Sequence, residues 1–389
     1  MRDWNQFVDL LKPAGELFDQ VTAAQDEQTR AELYRQFAMN LSQGYLLYFQ
    51  TDPDYPEFVP FENSAFLLQP NPDAVYYYSR VDGRGAYRVS GERGNSVVAG
   101  FAVGSKIIGM EGSPGKGLGN YDVDQLEIGA DGRFEVLFSS ERPQGHSGNW
   151  LYLDPEADFI LVRQFNYDWG GDSDMRLAIE RVDPMPRRPR LSPERTDALL
   201  AELFGTYAKR LSQIAIGAMQ RPMQKGLNTV ALHDFQDLGN SDSWPQAYWE
   251  CSYRLEDDEA LVIESELPEQ RHYWNVQVID GLWNQAEMLY HQTSLNGMTA
   301  TIDSDGLFRA VLSKQDPGVA NWLDTADHAQ GMLIGRWYRC SSHPTPKGTK
   351  MKLSEVDAYL GGKSARITPE ERKEALRQRL IGSQLRRKW

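Results

Sequence analysis

Two distant stretches of this 389-residue chain spell nearly the same text, and a duplication limits what the whole can fold into. Residues 131–154, DGRFEVLFSSERPQGHSGNWLYLD, align with 305–324, DGLFRAVLSKQDPGVANWLD, across one small gap. The Asp-Gly turn, Phe134 and Phe308, Ser139 and Ser313, Pro143 and Pro317, and Asn-Trp-Leu at 149–151 and 321–323 all coincide. The runs that follow also agree: FILVRQF places Arg163 where MLIGRWY places Arg336. Upstream, DAVYYYSRV faces QAYWECSYRL. Whatever unit one copy forms, the other forms too. Both copies are built of short runs rich in Val, Tyr, Phe and Ile, parted by Asp-Gly and Gly-Glu turns, which is strand grammar. The expected fold is mainly β with flanking helices: two related β-sandwich or jelly-roll-like units from an internal duplication.

Around the copies the chain divides further. Residues 1–60 read as a helical segment, with Leu10, Leu11, Leu17, Phe18 and Val21 at helical spacing, ended by the prolines of TDPDYPEFVPF. Residues 61–183 form the first β unit and 184–240 a linker, DPMPRRPR, followed by helices. There Ser192 is placed as N-cap and Pro193 at the first helical position. The second β unit takes 241–345. The basic tail, 346–389, holds a helix opened by a capping box of Thr368 and Glu371.

The net charge of −14 is unevenly spread, because the last 28 residues carry about +6 and the body about −20. So acidic a body repels phosphate backbones, which argues against nucleic acid as its partner. The tail is read as a solvated helix docking on that body, with nucleic acid or anionic lipid as the alternative. No stretch approaches the ~20 apolar residues that cross a bilayer, so no membrane partner is expected. Only Cys251 and Cys340 are present, which suggests a reducing, cytoplasmic setting rather than a disulfide framework. A homo-oligomer stays open.

The segments YWNVQVIDGLW, QTSLN, DGLFRAVLSKQDPGVANWLDT and GRWY resemble the bacterial domain of unknown function 1214 family, and NPDAVYYYSRVDG with YRVSG resembles the upstream half of its longer members. The resemblance spans about 71–338 and implies a β-sandwich or jelly-roll-like unit. It implies no general activity.

Candidate site residues come from an asymmetry between the copies. VVAGFAVG (97–104) is small and apolar, whereas its counterpart RHYWNVQVI puts Tyr273, Asn275 and Gln277 on one face. Such a face is either a ligand-contacting sheet interior or a solvent face. Nearby Trp283, Asn284, Asn321 and Trp322 complete the expected substrate-binding set in the second unit. Arg163 and Arg336 alternate with apolar residues on their strands, so each needs a partner. Asp154 and Asp324 are expected to clamp them, while Arg336 could instead hold a developing negative charge. His291 and His328 are the candidates for proton transfer, with Asp324 and Arg336 beside them. No metal motif occurs, and Asp324 with His328 lacks a third ligand. GSKIIGMEGSPGKGLGN fails both the phosphate-loop and dinucleotide spacings and reads as a flexible loop or lid. These residues point to a cofactor-independent hydrolase or lyase on a small hydroxylated, sugar-like or fused-ring substrate, or to a non-catalytic small-molecule or carbohydrate-binding protein.

Overall fold

The computed structural model describes residues 1–21, 26–62, 67–110, 115–234 and 244–386. The first unit comprises β1 (Val59–Phe61), β2 (Ala74–Arg80), β3 (Tyr87–Glu92), β4 (Val98–Gly104), β5 (Gly117–Asp122), β6 (Arg133–Ser139), β7 (Asn149–Tyr152), β8 (Phe159–Phe165) and β9 (Arg176–Arg181). The second comprises β10 (Val230–Asp234), β11 (Gln246–Arg254), β12 (Glu259–Ser265), β13 (Arg271–Ile279), β14 (Ser294–Asn296), β15 (Phe308–Ser313), β16 (Trp322–Asp324), β17 (Gln330–Cys340) and β18 (Lys347–Lys352). The sheets of the first unit run β1-β2-β8-β4-β5 and β7-β6-β3-β9; those of the second run β10-β11-β17-β13-β14 and β16-β15-β12-β18. Strand for strand, the two orders are the same. The second unit therefore extends beyond the expected 241–345 in both directions, because β10 and β18 complete its sheets.

Registers agree as well as orders. Leu137 pairs with Trp150 across the parallel β6–β7 ladder, and Val311 pairs with Trp322 across β15–β16. The recurrent Asn does the same work in both copies. Asn149 Nδ2 donates to the carbonyls of Glu127 and Glu135, and Asn321 Nδ2 to those of Thr301 and Arg309. Each indole N–H is then held by the strand-end serine: Trp150 by Ser139 Oγ, Trp322 by the Ser313 carbonyl. The duplication is a property of the fold.

Packing explains why some strands alternate in polarity and others do not. The two five-stranded sheets face each other, each backed by its four-stranded sheet. Phe159, Leu161 and Phe165 of β8 meet Met332, Ile334 and Tyr338 of β17 in one inter-unit core, while Ile160 and Val162 turn into the first unit's own core. An inner strand is buried on both faces and reads as a continuous apolar run. The outer strand β9 has one solvent face and alternates, as half-buried antiparallel strands do.

Helices seal the sides. The amino-terminal stretch forms α1 (Trp4–Asp19) and α2 (Glu27–Tyr45); α3 (Pro193–Glu202) and α4 (Ala208–Lys225) follow the linker. Ser192 Oγ accepts from Arg195 N at 3.1 Å as the expected N-cap, with Pro193 behind it. Beyond the short α5 (Val356–Leu360), α6 (Pro369–Leu385) opens with the Thr368–Glu371 capping box. This basic helix docks on the body by one face, while Glu370, Lys373, Glu374, Arg377 and Gln378 stay exposed on the other. Arg372 is buried, bonded to Asp316 at 2.9 Å and stacked on Trp322 at 5.3 Å. Arg379 stacks on Trp169 at 4.5 Å, and Arg386 pairs with Asp174 at 2.8 Å. The helix thus straps the second unit to the first. Among the described residues, no helix is long and apolar enough to cross a membrane.

Candidate functional site

Register places one tyrosine and one arginine from each unit on the inner faces. Tyr76 of β2 lies opposite Arg163 of β8, which lies opposite Gly100 of β4. Tyr248 of β11 lies opposite Arg336 of β17, which lies opposite Asn275 of β13. Since the two inner sheets face each other, both pairs converge on one cavity of about 250 Å3. Phe61, Phe165, Trp244 and Trp283 supply much of its wall, and Glu62 enters just after β1.

Arg336 is buried, as expected, but its partners differ from the expected one. Its Nη1 donates to Gln277 Oε1 at 2.6 Å and Asn275 Oδ1 at 3.4 Å, its Nη2 donates to the Gln69 carbonyl at 3.1 Å, and its guanidinium lies 5.4 Å over the Tyr248 ring. The expected Arg336–Asp324 clamp is therefore corrected: Asp324 Oδ2 sits 2.7 Å from His291 Nδ1. Strand alternation is the reason. It turns Arg336 toward the first unit, away from β16, which carries Asp324. Arg163 likewise does not clamp Asp154, which accepts from Glu156 N. It donates to Asn120 Oδ1 at 3.1 Å and lies 5.2 Å over the Trp244 ring.

Glu62 is the cavity's carboxyl. Burial pushes it up to about 8, against the opposing pull of the Arg163 and Arg336 guanidiniums. It keeps some accessible surface where it lines the inter-sheet cavity, and desolvation by burial remains the largest cause of the shift. Burial also lowers Arg163, with Tyr76 and Tyr248 pulling the other way, and it raises both phenols. Glu62 holds φ at +54°, the left-handed region that a glutamate adopts only under constraint; its amide is anchored on Gln43 Oε1 at 2.7 Å. Titratable groups in mutually perturbed environments are a mark of working sites.

The polar face of β13 has a different occupant from the one its composition suggested. Segment 69–73 of the first unit crosses it. Tyr273 Oη donates to Asp73 Oδ2 at 2.7 Å and accepts from Asn71 Nδ2 at 2.9 Å. Asn275 Nδ2 donates to Asn71 Oδ1 at 2.7 Å, and Gln277 Nε2 to the Pro70 carbonyl at 3.1 Å. Asp73 Oδ1 also accepts from Trp169 Nε1 and Asn296 Nδ2, both at 2.8 Å. This face is neither solvent nor ligand surface; it binds the chain's own Gln-Pro-Asn-Pro-Asp.

Of the residues singled out in the sequence, Arg163, Arg336 and Trp283 line the cavity. Tyr273, Asn275 and Gln277 stand behind it as the network just described. Asn284 is bonded to Gln36 and Asp280, while Asn321 and Trp322 serve the repeated parallel strand pair, so these side chains are scaffold. His291 is half-exposed with Asp324, and neither it nor His328 lines the cavity. Among the described residues, no three His, Cys, Asp or Glu side chains gather as a metal site. Of the glycine-rich stretch, 111–114 fall outside the described residues, while Ile107, Ile108 and Lys116 line the cavity. Sequence reading missed Glu62, Tyr76, Tyr248, Trp244 and Ala102. The two tyrosines face their arginines through the register of β2 with β8 and of β11 with β17, which the aligned text does not display. Glu62 carried no signal.

Comparison with known proteins agrees with this architecture. A family model for proteins of unknown function (DUF1214) matches residues 112–166 and 250–342, one stretch in each unit. A crystal structure of an uncharacterised protein from Burkholderia cenocepacia is 29% identical, superposes with a TM-score of 0.80, and covers 90% of this chain and 97% of its own. The VPA0106 protein from Vibrio parahaemolyticus is 12% identical with a TM-score of 0.45, covering 82% of this chain and 99% of its own. No curated protein matches. The family model thus matches this chain twice, once in each copy of the repeated fold, over 112–166 and 250–342.

Proposed function

We propose that the protein binds a small organic anion with an apolar body in the inter-unit cavity, and that Glu62 exchanges a proton with it. The observation carrying this reading is that the duplicated arginines, Arg163 and Arg336, converge on one aromatic-walled cavity with Glu62 between the sheets. Guanidiniums held away from water bind carboxylates strongly and with fixed geometry. A carboxyl titrating near 8 is suited to acid–base work at neutral pH, since an efficient catalytic group has its pKa near the operating pH. In this reading the proton-transfer role passes from His291 and His328 to Glu62. The sugar-like substrate gives way to one with an apolar or aromatic body, because the walls are aromatic. A cofactor-independent lyase is the enzymatic form. The second reading, a non-catalytic binding protein, rests on the same cavity without turnover. Buried Cys251 and part-buried Cys340, both free thiols, favour the cytoplasm.

Calorimetric titration of the protein with acetate, hexanoate and benzoate, against benzamide as the neutral control, tests the reading. Saturable binding of at least one acid, absent with benzamide and lost in Arg163→Met, is expected. Benzamide binding as tightly as benzoate would remove the anion from the proposal. Loss of binding in His291→Ala, with Arg163→Met unaffected, would return the site to the histidine. Turnover that disappears in Glu62→Gln while binding persists separates the enzyme from the carrier.

A further inference from the structure

The duplication supplies an internal template for the ligand. Gly100 and Ala102 of β4 occupy the positions that Asn275 and Gln277 occupy on β13, because each strand pairs with its arginine strand in the same register. At Arg336 the template is filled. The Gln277 amide reaches across the sheet, accepts from Nη1 at 2.6 Å, and is held behind by the Pro70 carbonyl. At Arg163 the equivalent side chain stops at the Cβ of Ala102, and the cavity extends over it.

Resting on the anion-binding reading above, we propose that the ligand is a monocarboxylic acid whose carboxylate takes, at Arg163 over Ala102, the place that the Gln277 amide takes at Arg336. Amide and carboxylate are both planar, with three heavy atoms and an sp2 oxygen in the same position, so one guanidinium geometry serves both. A tetrahedral phosphate does not fit that outline. The charge differs in the right direction, since a carboxylate bonds a guanidinium more strongly than a neutral amide does. The neighbouring exchange defines the rest of the slot. Gly100 replaces Asn275, and a Cβ there would come 2.9 Å from the Tyr121 carbonyl and 3.0 Å from the Trp244 ring, so the missing side chain makes room for both. Asn120 Oδ1 orients Arg163 at 3.1 Å, as Asn275 Oδ1 helps to orient Arg336 at 3.4 Å. The ligand body then lies among Trp244, Phe165 and Tyr76. A cavity of about 250 Å3 admits on the order of ten non-hydrogen atoms, taking ~30 Å3 for a water molecule as the upper share per atom.

The test exchanges the two environments. Ala102→Gln supplies the amide that Arg336 already has; it should fold with Tm at or above wild type and weaken binding of the tightest acid in the acetate, hexanoate and benzoate series at least 30-fold. Ala102→Leu, of similar size without the amide, should weaken binding equally but lower Tm. Gln277→Ala opens the second slot, so acetate should raise its Tm by more than it raises that of wild type, and acetamide should not. Wild-type affinity in Ala102→Gln, with binding still lost in Arg163→Met, would overturn the template while leaving the anion site in place. Failure of every acid to bind wild type would overturn both.

Discussion

Beside Arg163 the first unit sets Gly100 and Ala102; beside Arg336 the second sets Asn275 and Gln277, on strands of the same order and register. The first arrangement leaves a cavity. The second is filled, partly by the amides themselves and partly by segment 69–73 of the first unit, which they hold. In a duplicated protein, then, the polar copy is not by that fact the working copy. Its polar groups are spent on joining the units, because a buried amide left unbonded costs about 1–3 kcal/mol. The small, plain copy leaves the space that a ligand can use.

Asp73→Ala would break this comparison most severely. The carboxylate takes hydrogen bonds from Tyr273, Asn275, Trp169 and Asn296, all buried or nearly so, and its loss strands several donors at once. A destabilisation of about 3–5 kcal/mol in urea denaturation is expected. A loss below about 1 kcal/mol would mean that the polar face of β13 does not hold the units together. Next in size is the contrast between the arginines. Arg336→Met deprives Gln277 and the Gln69 carbonyl of their donor and should cost about 2–3 kcal/mol. Arg163→Met should cost about 1 kcal/mol and act mainly on ligand binding; equal losses would erase the distinction between a filled and a ligand-facing arginine.

The smallest effect concerns pH. Glu62 is raised from 4.5 to about 8 on folding, so between those values the folded state holds a proton that the unfolded chain has released. Its contribution is complete below pH ~4.5, declines as pH rises, and is gone above pH ~8. Glu62→Gln lacks this decline. Wild-type stability relative to the variant should therefore fall by about 1–2 kcal/mol from pH 5 to pH 8, less than the whole shift implies because the carboxyl borders a cavity. A flat difference across that range would place Glu62 in a wetter setting than the inter-sheet cavity.

The fold was more legible than the site. Asn149 and Asn321 match in the text because the motif that holds them is local, yet Asn321, expected to contact substrate, serves the scaffold. Arg163 and Arg336 were rightly set among Phe159, Leu161, Phe165, Met332, Ile334 and Tyr338, because period-two alternation is a property of the strand alone. What alternation cannot supply is the object facing that side. Asp324 was the nearest carboxylate in sequence to Arg336, yet it lies with His291, and the carboxyl that shares the arginine's cavity, Glu62, comes from the other unit. Tyr273, Asn275 and Gln277 looked like ligand contacts because their true partners, Asn71, Asp73 and Pro70, lie some 200 residues away.

By itself, then, the sequence determined the strands, their duplication, the helix caps and the inward turn of both arginines, since each follows from local periodicity or from one copy's likeness to the other. Only the tertiary structure decided that the inner sheets face each other, that a polar strand would bind the chain's own loop, and that a cavity would remain over Ala102. Those outcomes depend on which surfaces meet and how completely their side chains fill the space between them, and neither is written at any single position along the chain.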